Sequence, residues 1–571
     1  MTHDPAVDAT TEADASAPAE QARYDTIVAG AGIAGLTVAH DLAARGYRVL
    51  VLDAAERIGG TAAALELPAL GMSLDAGAES FAVRSGAVAA LLGELGLADE
   101  IVDPNPAGAW LLLPASRGGH HAARSRAVPL PKRTLLGIPS VPLAQDVIDA
   151  LGWAGALRAY FDRLMPVLRI GKDDALGPLV RRRMGQKVLD RLVAPLAGGV
   201  YSADPELLDV GVVAPGLNGG ITRAGSLSGG VAFVLEERAA AAGAGEARPG
   251  SAVQGVRGGI HRIPERLAER AREHHAEIRT GERVLAATET DTGWIVETDA
   301  GTHESSSLVV ALPEAEARRL LLAAPSAEER AAEDRGPRQA PLGSRQRPER
   351  ASALSSTALA SRSPMIELIT LVFPAGAIDG DPRGTGVLVA ADATQVRAKA
   401  MTHATAKWAW LREAAAGHEI VRLSYGTGAA GAAVPATAEL DDDAAAALAL
   451  EDARAIFGTD LPQPVASARV RWQQGQPSST IGARERQQEL RDAAAAHEQL
   501  TVVGAAVAGT GLAQVVPDAR KAALEIRRER FAVHGSPWTD DIAPEERLGD
   551  ETSVAEPAEA SDIPADERGE A

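Results

Sequence analysis

The chain has 571 residues, a formal net charge of −20 and no cysteine, and its length allows two or three domains. The absence of thiols excludes disulfides, cysteine nucleophiles, cysteine zinc sites and iron–sulfur clusters. Residues 1–22 carry −5 and residues 540–571 carry −10, so the rest of the chain has no basic excess and nucleic-acid binding is not predicted.

Residues 1–22 have neither the basic region nor the apolar region of a secretory signal. No apolar run reaches the roughly 18–20 residues that span a bilayer. We therefore expect a cytoplasmic protein with at most peripheral membrane contact. Three segments have compositions that cannot bury a core, and we predict them to be disordered: 1–22, 323–363 and 533–571.

The first ordered stretch predicts a strand–helix–strand unit. "YDTIVAG" is typical of a buried strand, "GLTVAHDLAARG" of a helix closed by Gly46, and "RVLVLDA" of a second strand. Apolar strands that alternate with amphipathic helices indicate a parallel sheet. The fold class is therefore α/β, with a Rossmann-like nucleotide domain.

Further strand patterns lie far along the chain, at "AEIRTGERVLAATET", "GWIVETDA", "SLVVAL" and "LTVVGAA". Such distances predict a discontinuous nucleotide domain with an α+β substrate domain inserted into it. The expected nucleotide segments are 23–85, 250–322 and 495–532. A helical substrate-access region is expected over 86–249, and the substrate domain over 364–494.

Between those parts, "AQDVIDALGWAGALRAYFDRLMPVLRIG" has apolar residues spaced by three and four. This spacing predicts one helical face packed on its own domain. The alternative is an interfacial membrane helix with Trp153 and Tyr160 at its edge. The apolar residues are Val147, Leu151, Ala154, Leu157, Phe161, Leu164 and Leu168.

A GxGxxG pattern follows the first strand and opens the first helix. Gly30 allows a tight turn, Gly32 lets the backbone approach a pyrophosphate, and Gly35 permits close helix–strand packing. The helix N-terminus then offers N–H groups to the phosphates. Asp53, at the end of the second strand, is placed to accept hydrogen bonds from a ribose diol, which disfavours a 2′-phosphate.

The residues after Asp53 separate FAD from NAD. "DAAERIGGT" resembles the extension found in glutathione-reductase-like and amine-oxidase-like flavoproteins, where Arg57 and the bare backbone at Gly59 and Gly60 approach a second phosphate and the ribityl chain. "VVGAAVAGTGLAQVV" resembles the late Gly-rich turn of this flavoprotein class, which implies a helix N-terminus presented to the flavin ring. We expect FAD.

Several stretches resemble the protoporphyrinogen/coproporphyrinogen oxidase family of haem biosynthesis. They are "LDAGAESFAVRSGAVAALLGELGLADEIV", "RAVPLPKRTLLGIPS", "APLAGGVYSADPELLDV", "VRGGIHRIPERLAE" and the Lys407-Trp408 pair of "KWAWL". The chain departs from the family at Ala78, which stands in place of the usual Pro, and at "GTGLAQVV", which lacks the usual Pro and Cys. The segment 323–363 has no family counterpart.

The resemblance implies a glutathione-reductase-like FAD domain and a six-electron oxidation of coproporphyrinogen III to coproporphyrin III, with O2 reduced to H2O2. The implied chemistry needs no metal, and no general base is assigned. Cations are needed for the substrate carboxylates, and Arg84 and Lys407 are the substrate-binding candidates. The cofactor-binding candidates are Gly30, Ala31, Gly32, Ile33, Ala34, Gly35, Asp53, Ala54, Arg57, Gly59, Gly60, Thr61, Gly77, Ala78, Glu79, Ser80, Val284, Trp408, Thr510, Gly511 and Leu512.

Other functions stay open on the sequence. Protoporphyrinogen IX is the alternative substrate within the family. A polyamine oxidase, a carotenoid desaturase and a non-catalytic flavin-binding protein are more distant alternatives. The sequence leaves the oligomeric state and any contact with a ferrochelatase undecided.

Overall fold

Two seven-stranded sheets organise the chain. The computed structural model describes residues 23–83, 85–115, 126–166, 175–201, 203–241, 253–323, 365–426, 434–473 and 479–534. The three segments predicted to be disordered lie almost entirely outside these ranges. The described residues up to 526 belong to one compact unit.

The strands of the described residues, numbered in chain order, are β1 Tyr24–Ala29, β2 Val49–Asp53, β3 Ala64–Leu67, β4 Met72–Asp75, β5 Phe81–Ala82, β6 Ile101–Val102, β7 Ala109–Leu113, β8 Arg126–Pro129, β9 Thr134–Leu135, β10 Ile138–Pro139, β11 Val253–Val256, β12 Glu277–Thr280, β13 Val284–Thr290, β14 Gly293–Thr298, β15 Thr302–Val310, β16 Met365–Phe373, β17 Gly386–Val389, β18 Ala400–His403, β19 Glu419–Tyr425, β20 Ala466–Gln473 and β21 Leu500–Val502.

The α-helices are α1 Ile33–Ala43, α2 Ala87–Glu94, α3 Gln145–Tyr160, α4 Leu176–Met184, α5 Gln186–Val188, α6 Ala194–Val200, α7 Val210–Val213, α8 Leu217–Ala224, α9 Leu227–Ala241, α10 Arg262–Glu273, α11 Glu314–Ala323, α12 Ala404–Lys407, α13 Ala409–Ala414, α14 Asp442–Phe457, α15 Ala483–Ala495, α16 Ala505–Ala508 and α17 Leu512–His534. Among the described residues, no helix is long and apolar enough to cross a membrane.

The first sheet contains the predicted strand–helix–strand unit, and the α/β fold class is confirmed. Its strands run in the order β12-β2-β1-β15-β14-β13. Strand β21 also belongs to this sheet and pairs with the last residues of β15. The pairs β1–β2, β2–β12, β1–β15 and β15–β21 are parallel. One sheet therefore joins three distant parts of the chain, although the domain limits given above stay predictions.

The second sheet is mainly antiparallel, in the order β20-β16-β19-β18-β17-β7-β8. One face contributes Ile369, Met401, Leu423 and Tyr425 to the largest hydrophobic cluster. Strands β7 and β8 lie within 86–249, where we expected a helical region. That region therefore also supplies the edge of this sheet, because the apolar run "AWLLL" pairs with β17.

The prediction of one packed apolar face on α3 was wrong. Val147 and Leu151 are buried, but Leu157, Phe161 and Leu164 are 45%, 54% and 72% exposed. The cause is Gly152, whose φ of 71° and ψ of 161° break the helix and change which side faces the core. Leu168 lies outside the described residues.

Gly35 is where α1 meets the turn after β1, and it offers a direct test of this packing. A Cβ at Gly35 would lie 2.0 Å from the carbonyl oxygen of Gly30. We expect Gly35→Ala to lower the unfolding free energy by about 2–3 kcal/mol, because the clash is with backbone. The measurement is the midpoint of urea unfolding.

The matched control is Gly93→Ala in α2, where a Cβ meets no atom within 4 Å. That variant replaces a helical glycine without a clash and should gain up to about 1 kcal/mol. Equal stability of the two variants would contradict the packing described for Gly35.

Candidate functional site

The glycine-rich turn after β1 leaves open space in front of a helix N-terminus. Gly30 has a φ of 109°, and a Cβ there would lie 2.5 Å from the carbonyl oxygen of Ala311. Gly32 is the N-cap of α1, and a Cβ at Gly32 would meet no atom within 4 Å. Two of the three glycines therefore allow close packing, while the third leaves room for a ligand at the N–H groups of α1.

Asp53 is bound to the same turn. One carboxylate oxygen accepts a hydrogen bond from the backbone N–H of Ala31 at 2.6 Å, and the other accepts from Ala55 at 2.8 Å. The carboxylate is half-buried at the carboxyl end of β2. Its position beside the turn fits a ribose contact, since a carboxylate accepts more than one hydrogen bond at each oxygen.

Val284 lies at the start of β13, close to this end of the sheet. The loop before it is held to β2, because the N–H of Glu282 donates to the carbonyl of Asp53 at 2.9 Å. The Val284 carbonyl accepts from the Arg319 guanidinium at 3.3 Å. A backbone contact of Val284 with the cofactor would therefore have to share that carbonyl with Arg319, and the cofactor-binding role of Val284 stays a prediction.

The second glycine-rich loop lies directly against the first. The N–H of Gly59 donates to the carbonyl of Ala31 at 2.8 Å, and Gly32 and Gly59 form a parallel bridge. A Cβ at Gly60 would lie 3.7 Å from the Cα of Gly32. Arg57 is exposed and donates to the carbonyl of Ala64 at 3.2 Å.

The loop after β4 packs against the two glycine-rich loops. A Cβ at Gly77 would lie 2.5 Å from the carbonyl oxygen of Thr61, so this loop packs on the second glycine-rich loop through bare backbone. Ala78 is exposed, and Glu79 and Ser80 are half-buried. The loops that contain the predicted residues Gly30–Gly35, Gly59–Thr61 and Gly77–Ser80 therefore pack directly on one another.

Glu79 binds two cations from the second sheet and its connections. Its carboxylate accepts from the Lys407 ammonium at 2.5 Å and from the Arg422 guanidinium at 3.1 Å. Arg422 also donates to the backbone carbonyl of Asp75 at 2.5 Å. The Glu79, Lys407 and Arg422 side chains are 15%, 18% and 4% exposed.

This arrangement changes the acidity of Glu79. Burial by itself would raise the pKa of the Glu79 carboxyl, but the charges of Lys407 and Arg422 and their hydrogen bonds hold the pKa below its ordinary value. The carboxylate is therefore ionised at neutral pH, and it ties the loop between β4 and β5 to β19 and α12.

Lys407 and Trp408 lie together, but neither extends freely into a cavity. The Lys407 ammonium is bound to Glu79 and lies 5.0 Å from the centre of the Trp408 ring. The Trp408 indole is buried in a hydrophobic cluster with Leu67 and Leu74. The substrate contact of Lys407 and the cofactor contact of Trp408 stay predictions, and Arg84 lies outside the described residues.

Arg422 is the residue that sequence reasoning missed. It lies in "EIVRLSY", a strand whose other core positions are apolar. A lone arginine in such a strand needs a buried anionic partner. Glu79, already placed in the flavin loop, was the available carboxylate, so the signal was present in the sequence.

The C-terminal turn reaches the same surface. A Cβ at Gly504 would lie 3.2 Å from the Ala34 side chain, which places the turn beside α1. Gly511 has a φ of 99° and open space around it, directly before Leu512 at the start of α17. The Ser85 hydroxyl donates to the carbonyl of Ala513 at 3.3 Å. A second helix N-terminus therefore faces the region where the loops meet, and Thr510 is half-buried beside it.

These residues fit a dinucleotide with a ring system at its far end. Gly32 leaves room for phosphates at the N-terminus of α1, and Asp53 lies at the ribose side. Gly511 leaves room at the N-terminus of α17, where a positive helix end stabilises negative charge. Among the described residues, no atom lies within 4 Å of where a Cβ on Gly32 or on Gly511 would be.

Comparisons with known proteins agree with this geometry. Residues 33–344 match the family described as flavin containing amine oxidoreductase. Coproporphyrinogen III oxidase of Mycobacterium tuberculosis (strain ATCC 25618 / H37Rv) is 27% identical over 510 residues, which are 87% of this chain and 96% of that protein. The chloroplastic protoporphyrinogen oxidase of Nicotiana tabacum is 26% identical over 313 residues, which are 52% of this chain and 53% of that protein.

Among solved structures, a provisionally named protoporphyrinogen oxidase from Exiguobacterium sp. 255-15 has the same fold. Its TM-score is 0.68 at 22% identity, over 89% of this chain and all of that one. The family match confirms the prediction that the cofactor is FAD.

Glu79→Gln tests the ion cluster. The amide leaves Lys407 and Arg422 without a counter-charge, so we expect the unfolding free energy at pH 7 to fall by about 3–5 kcal/mol. Because the folded pKa of Glu79 lies below the unfolded value, its stabilising contribution is present above the ordinary carboxyl range. It is lost as the pH falls through the folded pKa, so the gap between wild type and variant should narrow in acid.

Urea unfolding across this pH range measures the gap. Glu304→Gln is the control, since Glu304 is exposed on β15 and its neutralisation should change stability by less than about 0.5 kcal/mol. A variant at Glu79 that is as stable as the control, or a gap that does not change with pH, would contradict the described cluster.

Proposed function

This chain belongs to the flavin containing amine oxidoreductase family, and we propose that within it the chain is a porphyrinogen oxidase of haem biosynthesis. The preferred substrate is coproporphyrinogen III, which is oxidised to coproporphyrin III. Three two-electron steps remove six hydrogens in all, and each step reduces one O2 to H2O2.

The names of the relatives support the substrate class. The mycobacterial relative that aligns over 96% of its own length is named coproporphyrinogen III oxidase. A relative from Bacillus subtilis with the same name aligns over the same share. The relative named for protoporphyrinogen aligns over about half of either chain.

The structural support for the proposal is one face of the second sheet. The face opposite its hydrophobic core turns toward the flavin loops, because Arg422 on this face binds Glu79 and a Cβ at Gly77 would lie 3.6 Å from the Trp472 ring. We call this side the open face. Strand register and half-burial define it as Leu368, Ala400, Thr402, Ser424, Val470 and Trp472.

The open face has the properties that a porphyrinogen requires. Its half-buried members are uncharged, and the alternating neighbours Ile369, Met401 and Leu423 are buried in the core. Small side chains such as Ala400 and Ser424 leave a shallow surface for a broad apolar ring. Arg422, the charged residue of this face on β19, is bound to Glu79.

In this proposal, the ion cluster and the open face have different roles beside the cofactor. Bound FAD supplies the two-electron acceptor. Glu79, Lys407 and Arg422 hold the loop between β4 and β5 against the second sheet. In this proposal the open face supports the macrocycle on one side and excludes water there. The proposal assigns no general base.

A kinetic comparison tests the substrate. The FAD-loaded chain is assayed in air on coproporphyrinogen III and protoporphyrinogen IX, with porphyrin fluorescence and O2 consumption followed together. We expect kcat/KM to be at least about tenfold higher for coproporphyrinogen III, with three O2 consumed per porphyrin. A preference for protoporphyrinogen IX would overturn the substrate, and no porphyrin from either would overturn the function.

A pair of variants tests the open face in the same assay. Leu368→Glu places a charge on this face, so KM should rise at least about tenfold while the flavin absorption spectrum is unchanged. Leu285→Glu is the control, because Leu285 is 44% exposed on β13, in the other sheet. Equal KM values for the two variants would remove the open face from substrate binding.

A further inference from the structure

A single helical turn, α12, presents Lys407 to the carboxylate of Glu79. The turn has only the four residues Ala404–Lys407, and a helix of one turn is not stable by itself, because it fixes many backbone angles for few hydrogen bonds. Lys407 is its last residue. The position of the ammonium therefore depends on the residues that hold this turn from outside.

Asn105 binds the C-terminal end of the turn from the loop between β6 and β7. Its side-chain amide donates to the carbonyl of Ala406 at 3.0 Å. Its backbone N–H donates to the carbonyl of Lys407 at 2.9 Å. The oxygen of the same side chain accepts from the N–H of Ala107 at 3.0 Å, which fixes the orientation of the amide. One residue therefore satisfies two of the carbonyls that the end of a helix leaves without internal partners.

Glu419 holds the other end of the turn. Its carboxylate accepts from the Thr405 hydroxyl at 2.6 Å and binds the His403 imidazole at 2.9 Å. The Thr405 hydroxyl also accepts from the N–H of Ile420 at 3.2 Å. His403 and Thr405 are buried, so little water competes for these bonds. Burial by itself would raise the pKa of the Glu419 carboxyl, but the hydrogen bonds from His403 and Thr405 hold that pKa below its ordinary value.

Glu419 also connects the two cations that Glu79 binds. It is the first residue of β19, and Arg422 follows three residues later on the same strand. The Lys407 ammonium binds one oxygen of the Glu79 carboxylate, and the Arg422 guanidinium binds the other. Because one carboxylate has to reach both cations, α12 and β19 must keep a fixed separation. The bond between Glu419 and Thr405 joins these two elements and sets that separation.

We propose that Asn105 and Glu419 are positioning residues of the oxidase, and that they act through Lys407. Neither residue belongs to the predicted cofactor-binding or substrate-binding sets. Their bonds to α12 keep the ammonium at Glu79, in the loop that is predicted to contact the flavin. Without the ammonium, Glu79 would keep only its bond to Arg422, and the loop would lose one of these two attachments. The proposal rests on the function proposed above and on the predicted contact of this loop with FAD.

A double-mutant cycle on the FAD-loaded chain tests the role of Asn105. Asn105→Ala removes the side-chain bond to Ala406 and keeps the backbone bond to Lys407. We expect kcat for coproporphyrinogen III to fall at least about tenfold and KM to change less than about twofold, because the flavin loop shifts while the open face is unchanged. FAD release, followed as flavin fluorescence after dilution, should become at least about fivefold faster. In a Lys407→Met background, Asn105→Ala should change neither kcat nor FAD release by more than about twofold, because the ammonium is already absent.

Gln395→Ala is the matched control. The Gln395 side-chain amide donates to the carbonyl of Leu113 at 3.0 Å. This is the same kind of bond at the same length, and it lies at the opposite end of β7 from Asn105. Its loss should change kcat and FAD release by less than about twofold in either background. Thermal unfolding shows whether each variant is folded.

Two substitutions at Thr405 test the role of Glu419. Thr405→Val removes the hydroxyl that donates to Glu419, so kcat should fall and FAD release should accelerate by at least about fivefold each. Thr405→Ser keeps the hydroxyl, and both quantities should stay within about twofold of wild type. Equal behaviour of the two variants would overturn the role of Glu419.

The role of Asn105 is overturned if Asn105→Ala behaves as the control does. It is also overturned if Asn105→Ala has the same effect with and without Lys407, because Asn105 would then only stabilise the fold. If wild type forms no porphyrin, the function proposed above fails instead. The FAD-release measurements of the same cycle then decide by themselves whether Asn105 acts through Lys407.

Discussion

The half-buried carboxylate of Glu79 joins the loop between β4 and β5 to the second sheet, and the proposed function depends on this connection. It lies in the loop that follows β4 and binds Lys407 and Arg422, which come from α12 and the second sheet. A buried charge with two hydrogen-bonded partners has one stable position, since moving it would leave the cations unpaired. The loop beside the flavin-binding glycines is thereby fixed against the sheet that forms the open face.

Glycines in the flavin loops let the backbones pack closely and leave space for the cofactor. Gly77 packs on the carbonyl of Thr61, and Gly59 bonds to Ala31, so contacts through bare backbone run from the ion cluster to the turn before α1. Side chains at these positions would separate the loops. A Cβ at Gly32 or at Gly511 would meet no atom within 4 Å, and both glycines lie at helix N-termini. The path therefore closes the fold and leaves the ends of a dinucleotide site free.

The parts of this structure that the sequence predicted are those determined by local pattern. The β1–α1–β2 unit, Asp53 at the strand end and the glycine-rich turns depend on neighbours within a few residues, and each was placed correctly in the fold. Arg422 was missed because its partner lies 343 residues away. The side of α3 that faces solvent was also mistaken, because apolar spacing defines a face but not its direction, and the φ of Gly152 redirects it.

The most direct test of the proposed chemistry is an anaerobic titration of the FAD-loaded chain with coproporphyrinogen III, followed by flavin absorbance. Because each flavin accepts two electrons and each porphyrinogen gives six, the account predicts complete bleaching at one third of an equivalent of porphyrinogen, with coproporphyrin formed in the same amount. A flavin that stays oxidised after a full equivalent would contradict it.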